Sequence, residues 1–291
     1  MTLGPLGPAE RRYLNLLRDC LTRALFPEKY TTLRRPANIR GLGKLYRPIF
    51  WDLLLPAARK VLGGIGLDIV RRAQQDPGMR NEGRDWPADA ETMVGTKRLD
   101  SLLECIDDVL RHDVPGDFIE TGVWRGGASI FMRAALGVYG DTERSVWLAD
   151  SFEGLPKASG DYAEDTGSWY WEYNHVLAVS LDDVKRNFAR YGWLDDRVKF
   201  LKGWFKDTMP TAPVTTLAIL RLDGDMYEST IDVLNAMYPK LSVGGYCIID
   251  DYALDECRKA VADYREAHGI TEEIRTIDWT GAVWRKERPG R

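Results

Sequence analysis

The sequence predicts an α/β fold: a seven-stranded, mostly parallel sheet with an antiparallel last strand, preceded by an N-terminal helical segment. From Glu91 onward, apolar runs of strand length alternate with stretches of helical spacing, the pattern of a parallel sheet. The chain closes with two short strands around Thr280-Gly281, which add an antiparallel edge. Acidic residues end four of the first five strands (Glu120, Asp150, Asp223 and Asp250), and open α/β sheets bind ligands at those strand ends.

The elements follow in order. Tyr13, Leu14, Leu16, Leu17, Leu21 and Leu25 fall at helical spacing within 8–26, so an amphipathic helix opens the chain. Thr31–Arg72 carries nine Lys or Arg against two Asp, together with Leu45, Tyr46, Phe50, Trp51 and Leu53–Leu55, and Pro36, Pro48 and Pro56 divide it. A polar loop over 74–89 leads to a helix near 97–111. Strands are expected at 117–121, 145–149, 198–202, 217–222 and 246–249, with closing strands at 274–277 and 282–285. Helices are expected at 128–136, from a Ser180 cap to Arg190, around 230–238 and at 255–268. The division expected is an N-terminal helical or lid segment over 1–90 and a catalytic domain over 91–291.

Composition narrows the function classes. Hydrophobic residues make up 44% and charged residues 29%, enough apolar material for one core. A net charge of −4 gives no pull toward nucleic acid. Three histidines leave little room for an imidazole zinc site, and Cys20, Cys105, Cys247 and Cys257 form no CxxC pair. The opening MTLGPLGPAE lacks a signal-peptide pattern, and no run reaches the ~18–20 apolar residues of a membrane span, so a cytoplasmic protein is expected.

The turn after the first strand, Glu120-Thr121-Gly122-Val123-Trp124-Arg125-Gly126-Gly127, lets a ligand approach the backbone closely, although Trp124 replaces the middle glycine of a dinucleotide fingerprint. Asp150, ending the second strand, suits a pair of ribose hydroxyls. A nicotinamide cofactor competes for this pattern, but the anion at Glu120 would repel a pyrophosphate and suits the ammonium of S-adenosylmethionine. Asp223 and Asp225 end LRLDGD, and Asp250 and Asp251 end CIIDD. Neighbouring strands would gather these four carboxylates, and a hard divalent cation, magnesium, would relieve their repulsion. Such a cation lowers the pKa of an alcohol, and Asp225 is the candidate base that takes its proton. Either acidic pair could instead cap the helix that follows.

With these residues in view, the chain resembles the macrocin O-methyltransferase (TylF-type) family. The likeness rests on ETMVGTKRLDSL, PGDFIETGVWRGGASIFMR, WLADSFEGLP, GWFKDTMP, LRLDGDMYEST, GGYCIIDDY and IDWTGAVWRK. It covers about 83–286, with a fainter match at 13–22. The resemblance implies a class I methyltransferase, Rossmann-like fold and magnesium-dependent methylation of a sugar hydroxyl on a glycosylated natural product or glycolipid. It implies metal ligands Asp223, Asp250 and Asp251 and a base at Asp225. For the cofactor it implies Met93, Glu120, Thr121, Gly122, Ser129, Asp150, Ser151 and Trp204. Catechol-type enzymes use a lysine shortly after the first acid; Met226 and Tyr227 fill that stretch here.

The partner expected is a small glycosylated acceptor, with no nucleic acid, and the chain is expected to form a homo-oligomer. Residues 31–72 read as a lid or oligomer interface, a peripheral membrane contact, or a disordered insert. Trp169, Tyr170, Trp171 and Tyr173 read as sheet-edge packing or a stacking face for the acceptor. His112, His175 and His268 read as ordinary helix or surface residues. A non-catalytic cofactor-binding scaffold and a nicotinamide-dependent oxidoreductase are the competing functions.

Overall fold

The computed structural model describes residues 6–33 and 49–289. They fall into two compact units, one drawn from Met1–Phe26, Pro77–Trp86 and Ala90–Arg291, the other from Pro27–Asp76 and Pro87–Asp89.

The larger unit carries helices α1 (Pro8–Leu21), α2 (Thr96–Arg111), α3 (Gly127–Val138), α4 (Leu181–Arg190), α5 (Tyr227–Met237) and α6 (Asp255–Ala267). Its strands are β1 (Asp117–Thr121), β2 (Val146–Asp150), β3 (Val198–Lys202), β4 (Leu217–Leu222), β5 (Leu241–Ile249), β6 (Arg275–Thr276) and β7 (Ala282–Arg285). The sheet order is β3-β2-β1-β4-β5-β7-β6. Strands β1 to β5 run parallel, and β7 is antiparallel to both β5 and β6. This is the class I methyltransferase arrangement. Winding reverses between β1 and β4, which opens a crevice above their carboxyl ends.

Burial explains the pattern. All six residues of β4 are buried, as expected of a strand covered on both faces. Helix α1 buries Leu14, Leu17 and Leu21 and leaves Tyr13 and Leu16 exposed, so one apolar stripe does the packing. Ser180 caps α4 as its sequence indicates, accepting the Asp183 N–H. Boundaries differ from expectation at several elements: α1 ends at Leu21, short of the Phe26 expected, and β5 and α5 both start early. Strand β5 begins at Leu241, because extra residues in β5 between Leu241 and Tyr246, set against Ala218 of β4, let Leu241 pair with Leu217. Helix α5 begins at Tyr227, because its first amides bond to Asp165 rather than to a cap in their own stretch. No described helix is long and apolar enough to cross a membrane.

In the smaller unit, Tyr30–Thr32 pairs antiparallel with Val70–Arg72, and a helix covers Leu55–Gly63. Leu55 is buried there; Leu53, Leu54, Val61 and Ile65 are exposed. Of the basic, apolar segment singled out in the sequence, 34–48 lie outside the described residues.

Candidate active site

The turn after β1 depends on Gly122, whose φ is +86°; a Cβ there would stand 1.7 Å from the Asp223 carbonyl oxygen. Only glycine lets the β1 and β4 tips approach so closely. Asp150 closes the other side of this turn. Its Oδ2 accepts the Val123 N–H at 2.8 Å and its Oδ1 accepts the Phe152 N–H at 2.7 Å. Burial pushes the Asp150 carboxyl up, and those N–H groups oppose the shift.

A cleft opens over these strand ends. Of the eight residues expected at the cofactor, Met93, Gly122, Asp150, Ser151 and Trp204 line it. The other three lie beneath. Thr121 is fully buried. Glu120, 2% exposed, gives one oxygen to Arg221 and the other to the Ser129 hydroxyl. The Glu120 charge therefore meets a guanidinium of the protein itself, and its side chain does not line the cleft.

Sheet register builds the charged cluster. Glu120 on β1 lies opposite Arg221 on β4, and side chains two apart in a strand share a face, so Arg221 also reaches Asp223. Its Nη1 stands 2.5 Å from Glu120 Oε1 and 3.0 Å from Asp223 Oδ2, while its Nη2 bonds Asp250 Oδ1 at 2.5 Å. Leu222 pairs with Ile249, which brings Asp223 and Asp250 to the same level. Arg98 of α2 completes the group by bonding the second oxygen of Asp250 and, at 2.8 Å, Asp278. One carboxylate oxygen from each of Asp223, Asp250 and Asp251 lies within 4.8 Å of the others. Asp225 stands beside this trio, its N–H donating to Asp251 Oδ2 at 3.2 Å. Asp223 and Asp225 both line the cleft.

Two guanidiniums thus serve a larger number of carboxylates, and they serve them unequally. Burial works against ionised Asp250, but Arg221 and Arg98 outweigh it and hold Asp250 below the ordinary carboxylate value. Burial, then Asp250 and Asp251, push Asp223 well up; burial, then Asp225 and Asp250, do the same to Asp251. Asp225 is pushed up to about 7 by burial and by Asp223, Asp250 and Glu256. Glu120 also rises to about 7 through burial, against the pull of Arg221 and Ser129. Uncompensated negative charge on hard oxygen donors, facing a cleft, fits a divalent cation of the magnesium class.

Arg98, Arg221 and Asp278 are not among the residues the sequence marks as functional. Arg221 does leave a signal, as a lone charge inside the apolar strand LAILRL, where it must find a partner. Arg98 and Asp278 leave none, since their partners are 152 and 180 residues away from Arg98. Outside the cluster, the Trp169 ring lies 5.4 Å from those of both Tyr170 and Tyr173, and Tyr170 donates to Glu256 at 3.2 Å. His112, His175 and His268 each set a ring nitrogen against a backbone carbonyl three or four residues earlier. All four cysteines are free.

Comparison with known proteins gives a consistent result. The profile of the family described as macrocin-O-methyltransferase (TylF) matches residues 10–286. An 8-demethyl-8-(2,3-dimethoxy-α-L-rhamnosyl)-tetracenomycin-C 4'-O-methyltransferase of Streptomyces olivaceus is 54% identical over 241 residues, 80% of this chain and 92% of that protein. The mycinamicin III 3''-O-methyltransferase of Micromonospora griseorubida is 54% identical over 210 residues, 71% of this chain and 83% of that protein. The solved structure of the O-methyltransferase NovP superposes with a TM-score of 0.78 at 42% identity, covering 96% of this chain and all of that one.

Proposed function

We propose that this chain, which belongs to the macrocin O-methyltransferase (TylF) family, methylates a sugar hydroxyl of a glycosylated natural product, using S-adenosylmethionine and a divalent cation. The membership makes it an O-methyltransferase. The sugar acceptor is inferred from the relatives, one of which acts on a compound bearing an α-L-rhamnosyl group. The observation that carries the cation is the approach of the Asp223, Asp250 and Asp251 oxygens to within 4.8 Å of one another.

The residues divide the work. Asp150 and Ser151 would hold the ribose side of the cofactor, with Met93 and Trp204 along the same cleft. Asp223, Asp250 and Asp251 would hold the cation. When bound, S-adenosylmethionine supplies an electrophilic methyl group and the cation lowers the pKa of the acceptor hydroxyl. Arg221 and Arg98 keep Asp250 ionised. Asp225, beside the trio and on the cleft, takes the hydroxyl proton.

The test is transfer of labelled methyl from S-adenosylmethionine to an α-L-rhamnosyl tetracenomycin and to mycinamicin III, read by mass spectrometry. Methylation should stop with EDTA and return with added magnesium. Undiminished transfer in chelator would remove the cation from the reading. Cofactor binding without transfer to any glycoside in a wider panel would favour a non-catalytic binding protein.

A further inference from the structure

We infer that Asp165 is a positioning residue for this reaction: from the loop between β2 and α4 it clamps the first turn of α5 and so fixes the turn that carries Asp225. The inference rests on the reading of Asp225 as the base.

The first amides of a helix have no partner inside it and need a cap. Met226, at the N-cap position of α5, provides no side-chain bond. Asp165 supplies what is missing: its Oδ1 accepts the Tyr227 N–H at 2.8 Å and its Oδ2 accepts the Glu228 N–H at 2.9 Å. The residue is 1% exposed, so water cannot readily replace either bond. A second contact falls on the same residue of α5, with the Tyr162 ring 5.1 Å from that of Tyr227. The Tyr227 hydroxyl in turn donates to Asp263 of α6 at 3.0 Å.

The turn being held has a reason to move. Asp225, two residues before Tyr227, has φ +55°, a left-handed conformation uncommon outside glycine, although aspartate adopts it more readily than most residues. Such a residue keeps this conformation only while its surroundings impose it. On one side it is held by the bond from its N–H to Asp251, and on the other by the start of α5. Releasing the first turn of α5 removes the second constraint and lets the Asp225 carboxyl leave its place beside the trio.

Asp165 also ties this turn to the cleft wall. Its loop contributes Leu155, Lys157 and Ser159 to the cleft, and Asn174 fastens the loop by exchanging two hydrogen bonds with Leu155. One buried carboxylate therefore makes the order of the wall and the placement of the base depend on each other. A simple tether would order the loop without affecting Asp225.

Hydrogen–deuterium exchange of the whole protein, with and without S-adenosylhomocysteine, tests the coupling whatever the acceptor. In Asp165→Ala, exchange should rise about tenfold or more both in 226–230 and in 155–174, with the β1–β4 core unchanged. With the tetracenomycin or mycinamicin acceptor, kcat should fall between about tenfold and 10²-fold while KM for S-adenosylmethionine stays within about threefold. Asp165→Asn keeps one accepting oxygen, so it should lose only a few-fold; it also decides the matter if the alanine variant does not fold. Ser180→Ala removes the cap of α4 and should leave kcat unchanged. Faster exchange in the loop alone, or an unchanged kcat in Asp165→Ala, would overturn the inference. A wild-type protein that methylates neither acceptor would count against the proposed function, while the exchange pattern would still decide whether loop and turn are coupled.

Discussion

Replacing Asp251 by Asn should make the metal-free protein more stable, although it removes a proposed ligand. Asp251, Asp223 and Asp250 place carboxylate oxygens within 4.8 Å of one another. Two unit charges at that separation repel by about 3.5 kcal/mol at an effective dielectric of about 20. The Asp223 side chain is 30% exposed, which screens part of this, so a gain of about 1–3 kcal/mol is expected. For a chain of this size that is a rise in Tm of roughly 2–8 °C. Asparagine keeps an oxygen to accept the Asp225 N–H, so the local hydrogen bond survives. The sign of the pH dependence follows from the raised Asp251 carboxyl. Ionising a group whose folded-state pKa lies above its unfolded value costs stability, and that cost grows as pH rises from the unfolded value of about 3.9. The advantage of Asp251→Asn should therefore vanish below that pH and open above it. The assay is thermal unfolding at pH 8 in EDTA, followed by a magnesium titration. The wild type should gain stability with magnesium, and Asp251→Asn should lose most of that gain. A lower Tm for the variant in EDTA would refute the repulsion, and an equal magnesium response would refute the site.

Asp225→Asn should lower kcat by about 10²–10⁴-fold, as removal of a general base does, while magnesium still raises Tm as in the wild type; loss of the magnesium response would instead make Asp225 a ligand. Arg221→Met removes a buried guanidinium shared by Glu120, Asp223 and Asp250, and should cost about 3–5 kcal/mol in urea unfolding at pH 8. Asp250, held low by Arg221 and Arg98 against the effect of burial, contributes stability above the ordinary carboxylate value and loses it as pH falls through its folded-state value. The Arg221→Met deficit should accordingly shrink in acid, and a deficit under about 1 kcal/mol at pH 8 would contradict the shared pairing.

Much of the architecture is legible because strand and helix periods leave local marks. Strands 198–202 and 217–222 fall where their apolar runs end, and the Ser180 cap stands where its hydroxyl and the following helix pattern place it. The gathering of Asp223, Asp250 and Asp251 is legible too, because adjacent parallel strands bring their tips to one level. What surrounds those tips is not. That Glu120 turns inward is decided by Arg221 on a different strand, and nothing near Glu120 in the chain announces it. Asp165 sits in a polar loop between glycines, where an acid reads as solvated; its burial depends on a helix that starts sixty-two residues later.

The unequal sharing of the two arginines is what makes the cluster suited to bind a cation. Had each acid its own guanidinium, the charges would be satisfied and a cation would gain little by entering. Instead Asp250 takes bonds from both Arg98 and Arg221, while Asp251 and Asp225 take none from a guanidinium or ammonium among the described residues. The pairing is also layered. Glu120, Arg221 and Asp250 are buried beneath the cleft, whereas Asp223 and Asp225 open onto it. The lower layer fixes the geometry in a low-dielectric environment, and the upper layer keeps the excess negative charge where a ligand can reach it. A stronger lower layer would stabilise the fold and weaken the site, so the instability expected of the metal-free protein and its affinity for a cation have a single electrostatic origin. A guanidinium introduced against Asp251 should raise Tm in EDTA and abolish the magnesium response together; if it did one without the other, the two properties would have separate causes.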